Sequence, residues 1–202
     1  MKPIREIILR EVGKKAMAQG CRSFTMDTIA KSMNVSKKTL YNLFPDKSEM
    51  IKQAVILIIE EWQTELQTNL PKEGNAIEKC FYYIQQSFIF SKSICEDFIK
   101  EMPRYFSDEE IETHILKRDT LLKELLLQGQ KEKYFIKEID WEFLNVLISY
   151  RPYSNILSNH EKWRNFAAGF IFIMLRGIST SKGITYIDTY LKNLIERKST
   201  KN

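Results

Sequence analysis

The chain has 202 residues, of which 44% are hydrophobic and 28% charged. This length allows one sizeable core, or a small domain beside a larger one, and the composition is that of a folded globular protein. The longest apolar segments fall short of the roughly 20 residues that span a bilayer, and charged residues interrupt the apolar residues after Met1. We therefore expect a cytoplasmic protein with no signal peptide and no membrane partner.

Positive charge is concentrated in residues 1–52, here called the basic head. The head contains eleven Lys or Arg and five Asp or Glu, whereas the remaining 150 residues carry 20 basic and 21 acidic groups. A basic region on a nearly neutral body is the charge distribution expected of a nucleic-acid-binding protein.

Apolar residues recur at intervals of three and four along the chain, which predicts an all-α fold with no strand. The first helix ends at Gly20 and has on one face Ile4, Ile7, Ile8, Val12 and Ala16. Thr25 can cap a short helix to about Met33, and Ser36 can cap another that ends by Phe44. Between them, Asn34 and Val35 form a turn.

A long helix is predicted next, because Asp46 and Glu49 form a capping box and Pro71 and Gly74 interrupt the pattern beyond Leu70. Further helices are predicted at about 75–90, 96–102, 107–129, 140–150, 161–178 and 185–197. The chain thus divides into a DNA-binding domain at 1–52, with a helix-turn-helix at about 25–44, and a larger helical bundle at 53–202.

The second short helix begins with two lysines, Lys37 and Lys38, where a cation opposes the helix macrodipole at a cost of about 0.3–1 kcal/mol each. An anionic partner against this helix end would explain them better than plain solvent does. Both lysines could donate to guanine in a major groove, and Asn42 could pair with adenine. The groups suited to backbone phosphates are Thr25, Thr39, Tyr41 and Lys47.

The residues from Gly20 to Ala30 (GCRSFTMDTIA), those from Asn34 to Phe44 (NVSKKTLYNLF), and Lys47 resemble the N-terminal signature of the tetracycline-repressor (TetR) family. The resemblance covers about a quarter of the chain. Three positions depart from the signature: Met26 replaces a threonine, Asn34 replaces the turn glycine and Leu43 replaces a common histidine. Asparagine tolerates the left-handed backbone that such a turn requires.

The resemblance implies that Thr25 and Lys47 bind DNA phosphates and that Thr39 and Tyr41 contact the DNA backbone. It also implies that Lys37 and Lys38 contact base edges. It also implies a homodimer, with an interface formed by the last long helices, and a small-molecule effector bound by the body. The expected function is a ligand-responsive repressor on a near-palindromic operator, released by a small hydrophobic or aromatic effector. The residues of the effector site, the operator and the regulated genes do not follow from the sequence.

An apolar stripe on the helix at 161–178 could face a partner subunit or the protein's own core, and the sequence leaves both open. Two other functions also remain: a helix-turn-helix regulator controlled by a protein partner, and a helical interaction protein whose basic head has no specific DNA site. The chain has no glycine-rich phosphate loop, no G-x-S-x-G and no C-x-x-C or H-E-x-x-H spacing, so we expect no enzyme, cofactor or metal site. Its three cysteines predict reduced thiols.

Overall fold

The computed structural model describes residues 4–110, 120–144 and 172–199. Over these ranges the protein is all-helical, as predicted, and its only extended feature is an isolated antiparallel bridge between Phe135 and Ser179. The helices of the first range are α1 (Ile4–Gln19), α2 (Met26–Ser32), α3 (Lys37–Leu43), α4 (Lys47–Thr68), α5 (Ala76–Ser91) and α6 (Glu96–Glu101). The remaining helical segments are Asp108–Glu110, Thr120–Lys131, 141–144, 172–177 and Ser181–Ser199.

Most helix boundaries lie close to the predicted ones, with two differences. The C-terminal helix begins at Ser181 instead of Thr185, and Gly129 does not end its helix, which continues to Lys131. Gly129 is buried, and a Cβ there would lie 2.0 Å from Cδ2 of Phe135. Gly129 therefore allows the Phe135 ring to pack closely against the helix, and it does not end the helix. Much of the predicted helices at 140–150 and 161–178 lies outside the described residues.

The described residues fall into two compact units, of which the first comprises 4–68 and 89–110. In this unit α1 packs along α4, and the helix-turn-helix and α6 complete one apolar core. Ile8, Val12 and Ala16 are fully buried, as the helical period predicts. Ile4 and Ile7 are exposed, so the prediction that they join this face is wrong. Leu9 and Met17, which the prediction omitted, complete the buried face of α1.

Close approach of α1 and α4 depends on Gly13. A Cβ at this position would lie 2.6 Å from Cγ1 of Ile58 and 2.8 Å from the carbonyl oxygen of Ala54. Polar contacts fix the register of the two helices, since Arg10 pairs with Glu61 at 2.5 Å and with Glu6 at 3.1 Å. The middle of α4 is thereby held against α1.

A second ion pair holds α4 one turn beyond its start. Nζ of Lys52 lies 2.7 Å from Oε1 of Glu110. The other carboxylate oxygen of Glu110 accepts the backbone N–H of Ser107, and the Ser107 hydroxyl accepts the N–H of Glu110, so the two residues form a capping box. The Lys52 ammonium and these Ser107 hydrogen bonds lower the pKa of Glu110 to about 2, so this carboxylate stays charged well into the acid range.

The second unit comprises 69–88 and, among the other described residues, 120–144 and 172–199. Its buried side chains include Ile77, Leu125, Phe135 and Ile187. The start of α5 is tied to the other helices of this unit: the Tyr186 hydroxyl donates to Glu78 at 2.6 Å, and the Ala76 N–H donates to Glu132 at 2.9 Å. Of the helices described, none is long and apolar enough to cross a membrane.

The stripe predicted on the helix at 161–178 is described only from Phe172 onward. There the stripe members Ile173 and Gly177 are exposed and Met174 is half-buried. The stripe's other members, Phe166, Ala167 and Phe170, lie outside the described residues, and the choice between a partner subunit and the protein's own core stays open.

Candidate nucleic-acid interface

The turn between α2 and α3 has the backbone that the sequence predicts. Asn34 adopts a left-handed conformation with φ of 53°, which asparagine accepts at low cost. The Val35 N–H donates to the carbonyl of Ala30 at 3.0 Å and so closes the turn. Ile29 and Leu40 are fully buried and Ala30 nearly so, while Met33 and Val35 pack at the edge of the same core. These contacts hold α3 across α2 and leave the polar face of α3 outward.

Three helices of the basic head begin with capped N-termini, and the cap residues are the predicted ones. Thr25 and Thr28 form a capping box, in which the Thr25 hydroxyl accepts the Thr28 N–H at 3.2 Å. Ser36 accepts the Thr39 N–H at 3.0 Å, and Asp46 accepts the Glu49 N–H at 2.9 Å. Each cap satisfies one of the free N–H groups of a first turn and so stabilises the start of its helix.

The outer face of α3 carries most of the predicted DNA-binding side chains. Lys38, Thr39, Tyr41 and Asn42 are all exposed, and 51% of the Tyr41 surface is accessible, so its ring is not buried. The Thr39 hydroxyl lies 2.8 Å from that of Ser36. This surface offers donors of both kinds that duplex DNA requires, cationic and hydroxyl.

Lys37, the first residue of α3, has a partner inside the protein. Its Nζ lies 2.5 Å from Oδ2 of Asp27, which belongs to the first turn of α2. The exposed fractions of the two side chains are 63% and 50%. This ion pair was not predicted from the sequence.

Lys47 begins α4 but points back toward the helix-turn-helix. Its ammonium donates to the carbonyl of Phe24 at 2.6 Å and lies 4.8 Å from the centre of the Phe24 ring. Burial lowers the pKa of Lys47, an effect that nearby Cys21 and Glu101 partly offset. The Phe24 carbonyl takes one of the three ammonium donors, and through this hydrogen bond Lys47 fixes the segment before α2.

The link between α1 and α2 is held from outside the basic head by α6. Gly20 ends α1 with φ of 84°, and a short 3₁₀ turn follows at Cys21–Ser23. The Glu101 carboxylate, only 8% exposed, accepts the N–H of Cys21 at 2.6 Å and that of Arg22 at 3.3 Å.

At the other end of α6, the Cys95 N–H donates to the carbonyl of Met17 at 2.7 Å. We call these three hydrogen bonds, two to the Glu101 side chain and one between backbone groups, the α6 contact. Nothing in the sequence around Glu101 distinguishes it from the other acidic residues of α6, so this functional neighbour of the helix-turn-helix was missed.

The cysteines are free thiols, as predicted: Cys21 and Cys80 are buried and Cys95 is half-buried. Burial raises the pKa of both buried thiols to about 12, with smaller contributions from the carboxylates of Glu101 and Glu132 respectively. Both thiols are therefore neutral and unreactive. In the described ranges, no three His, Cys, Asp or Glu residues are grouped so that they could hold a metal ion.

Comparison with known families gives a match for the basic head. Residues 11–54 match the sequence model of a family described as bacterial regulatory proteins, tetR family. The matched segment contains the helix-turn-helix and the first turns of α4. No curated protein matches the chain.

Solved structures extend the likeness to the rest of the fold. The ketosteroid transcriptional regulator KstR2 of Mycobacterium tuberculosis is 18% identical, with 90% of this chain and 97% of that chain covered and a TM-score of 0.53. The fatty acid degradation regulator FadR of Bacillus halodurans is 14% identical over 85% and 96%, with a TM-score of 0.61. The TetR family protein CprB of S. coelicolor A3(2) is 16% identical over 92% and 94%, with a TM-score of 0.59.

The exposed face of α3 and the family match define residues 11–54 as a helix-turn-helix, DNA-binding domain. This domain is similar to that of the bacterial regulatory proteins of the tetR family, and the solved structures named above share the fold of the chain.

Proposed function

We propose that the protein is a ligand-responsive repressor that binds a near-palindromic operator as a homodimer. The observation that carries this proposal is the exposed, lysine-bearing face of α3 inside a segment that matches the tetR family. In a dimer, two such helices would enter successive major grooves about 34 Å apart. The division into a DNA-binding domain at 1–52 and an effector-binding and dimerisation domain at 53–202 belongs to the same proposal.

The side chains proposed to touch DNA fall into two groups. Lys37, Lys38 and Asn42 would contact base edges from α3. Phosphates would be held by Thr25, Thr39, Tyr41 and Lys47. The exposure of the α3 face supports the first group, and the positions of Thr25 and Lys47 at the starts of α2 and α4 support the second.

A matched pair of variants tests these two roles. Lys38→Ala should cost about 1–3 kcal/mol on a duplex selected from a random pool and much less on unselected duplex, because it removes a base contact. Lys47→Ala should weaken binding to both duplexes alike. Fluorescence anisotropy measures both affinities, and Lys31→Ala, an exposed lysine of α2 with no assigned contact, serves as the control. Equal loss on both duplexes for Lys38→Ala would make that lysine a phosphate contact.

The proposed effector is a small, largely apolar compound. Two proteins of this fold have names that refer to ketosteroids and to fatty acid degradation, both of which involve largely apolar compounds. A compound at 100 times its dissociation constant should stabilise the folded state by about 2.7 kcal/mol and raise the melting temperature. It should also release the selected duplex. A compound that raises the melting temperature without weakening DNA binding would contradict effector-driven release.

A further inference from the structure

The ion pair between Lys37 and Asp27 joins a residue assigned to DNA with an acidic residue beside the same surface. Asp27 lies two positions after the Thr25 cap, so its carboxylate stands at the N-terminus of α2, close to a proposed phosphate contact. We infer that Asp27 is an internal competitor for Lys37 that limits the affinity of the protein for DNA. This inference rests on the proposed function, since it concerns the same surface.

The competition follows from the geometry of one ammonium group. Nζ of Lys37 is 2.5 Å from the Asp27 carboxylate, and moving it to a base edge or a phosphate breaks that contact. An exposed ion pair of this kind changes an equilibrium by only about 1.4- to 5-fold. The larger effect comes from the carboxylate left behind, which faces the phosphates of the duplex unpaired and repels them.

A helix-stabilising role for Asp27 makes the opposite prediction. A carboxylate in the first turn of α2 interacts favourably with the helix macrodipole. If this were its only role, Asp27→Asn would destabilise α2 and weaken DNA binding. A competitor, by contrast, strengthens DNA binding when it is removed, even if the melting temperature falls. The direction of the change in affinity therefore separates the two roles.

Salt dependence gives a second, independent readout. When Lys37 moves from Asp27 to the duplex, it displaces one salt counterion from the DNA. The Asp27 carboxylate, now unpaired, binds a counterion in turn, so the net release is close to zero. Without the Asp27 charge this offset disappears, and the slope of log affinity against log salt becomes more negative by about 0.9. Any gain in affinity should consequently shrink about threefold between roughly 50 and 200 mM salt.

The test compares Asp27→Asn with wild-type protein on a fluorescein-labelled duplex selected from a random pool, on which Lys37 makes its proposed base contact. We expect affinity to rise about threefold to tenfold at about 50 mM salt, with the steeper salt slope. Glu11→Gln is the matched control, because Glu11 is an exposed acid of the same basic head and has no ion pair among the described residues. In a Lys37→Ala background, the gain from Asp27→Asn should fall to that of Glu11→Gln.

Three results would overturn the inference: no gain beyond that of Glu11→Gln, a loss of affinity, or the full gain persisting in the Lys37→Ala background. Failure of the proposed function has a different signature, since wild-type protein would then fail to bind the duplex even at low salt.

Discussion

Replacing Phe44 by alanine should lower the free energy of unfolding by about 3–5 kcal/mol. Phe44 follows α3 and is fully buried in the core of the first unit, with the Arg5 guanidinium 5.4 Å from the centre of its ring. Alanine would leave a cavity where the end of α3 meets α1 and α4. Because domains of this size are stable by only about 5–15 kcal/mol, the loss is a large share of the total stability. Urea unfolding followed by circular dichroism measures it.

Tyr41→Ala is the companion variant, since it removes an aromatic ring from the same helix at an exposed position. Its stability should change by only about 0.5 kcal/mol, while DNA binding weakens through the loss of a proposed phosphate contact. If the two variants lost stability equally, the separation of a buried and an outward face of α3 would be wrong.

Glu101→Ala is expected to destabilise the first unit by about 1–3 kcal/mol, the second-largest effect. The substitution removes the acceptor of two backbone N–H groups, those of Cys21 and Arg22, where the chain turns from α1 into α2. The Cys21 N–H is buried and would be left without a partner. DNA affinity should fall together with stability, because the position of the helix-turn-helix depends on this turn.

Glu101→Gln separates the acceptor from the charge. A glutamine oxygen can still accept both N–H groups, while the 3.4 Å contact with the Arg22 side chain loses its ionic character and the attraction to Lys47 is removed. Since 64% of the Arg22 side chain is exposed, that contact contributes little. The glutamine variant should therefore melt close to wild type, and a loss equal to that of alanine would show that the negative charge is what matters.

Features of the basic head that depend on neighbouring residues could be predicted from sequence. The caps at Thr25, Ser36 and Asp46 and the left-handed Asn34 each involve groups within a few positions of one another. Helix periods also indicated most of the buried face of α1. Ile4 and Ile7 were misassigned because the period gives the direction of a side chain but not where the neighbouring helix ends.

Contacts between residues distant in sequence could not be predicted. Glu101 and Cys21 are 80 positions apart, Lys47 and Phe24 are 23 apart, and Lys37 and Asp27 are 10 apart across a turn. The residue types at these positions suit many partners, and only the packed fold selects one. For the candidate site, the sequence therefore indicated which side chains carry hydrogen-bond donors. It did not indicate that Lys37 and Lys47 already donate to other groups of the protein.

The α6 contact limits how the DNA-binding head can be transferred from one regulator to the body of another. Consider a hybrid in which only the matched segment, residues 11–54, is grafted onto a foreign body. In this hybrid the Met17 carbonyl would lose the Cys95 N–H, and the Cys21 N–H would lose the Glu101 carboxylate. Such a graft would inherit whatever residue the recipient presents at the position of Glu101. Compatibility between head and body therefore depends on a few residues of α6, and a graft that carries residues 95–101 along with the head should retain its original DNA preference.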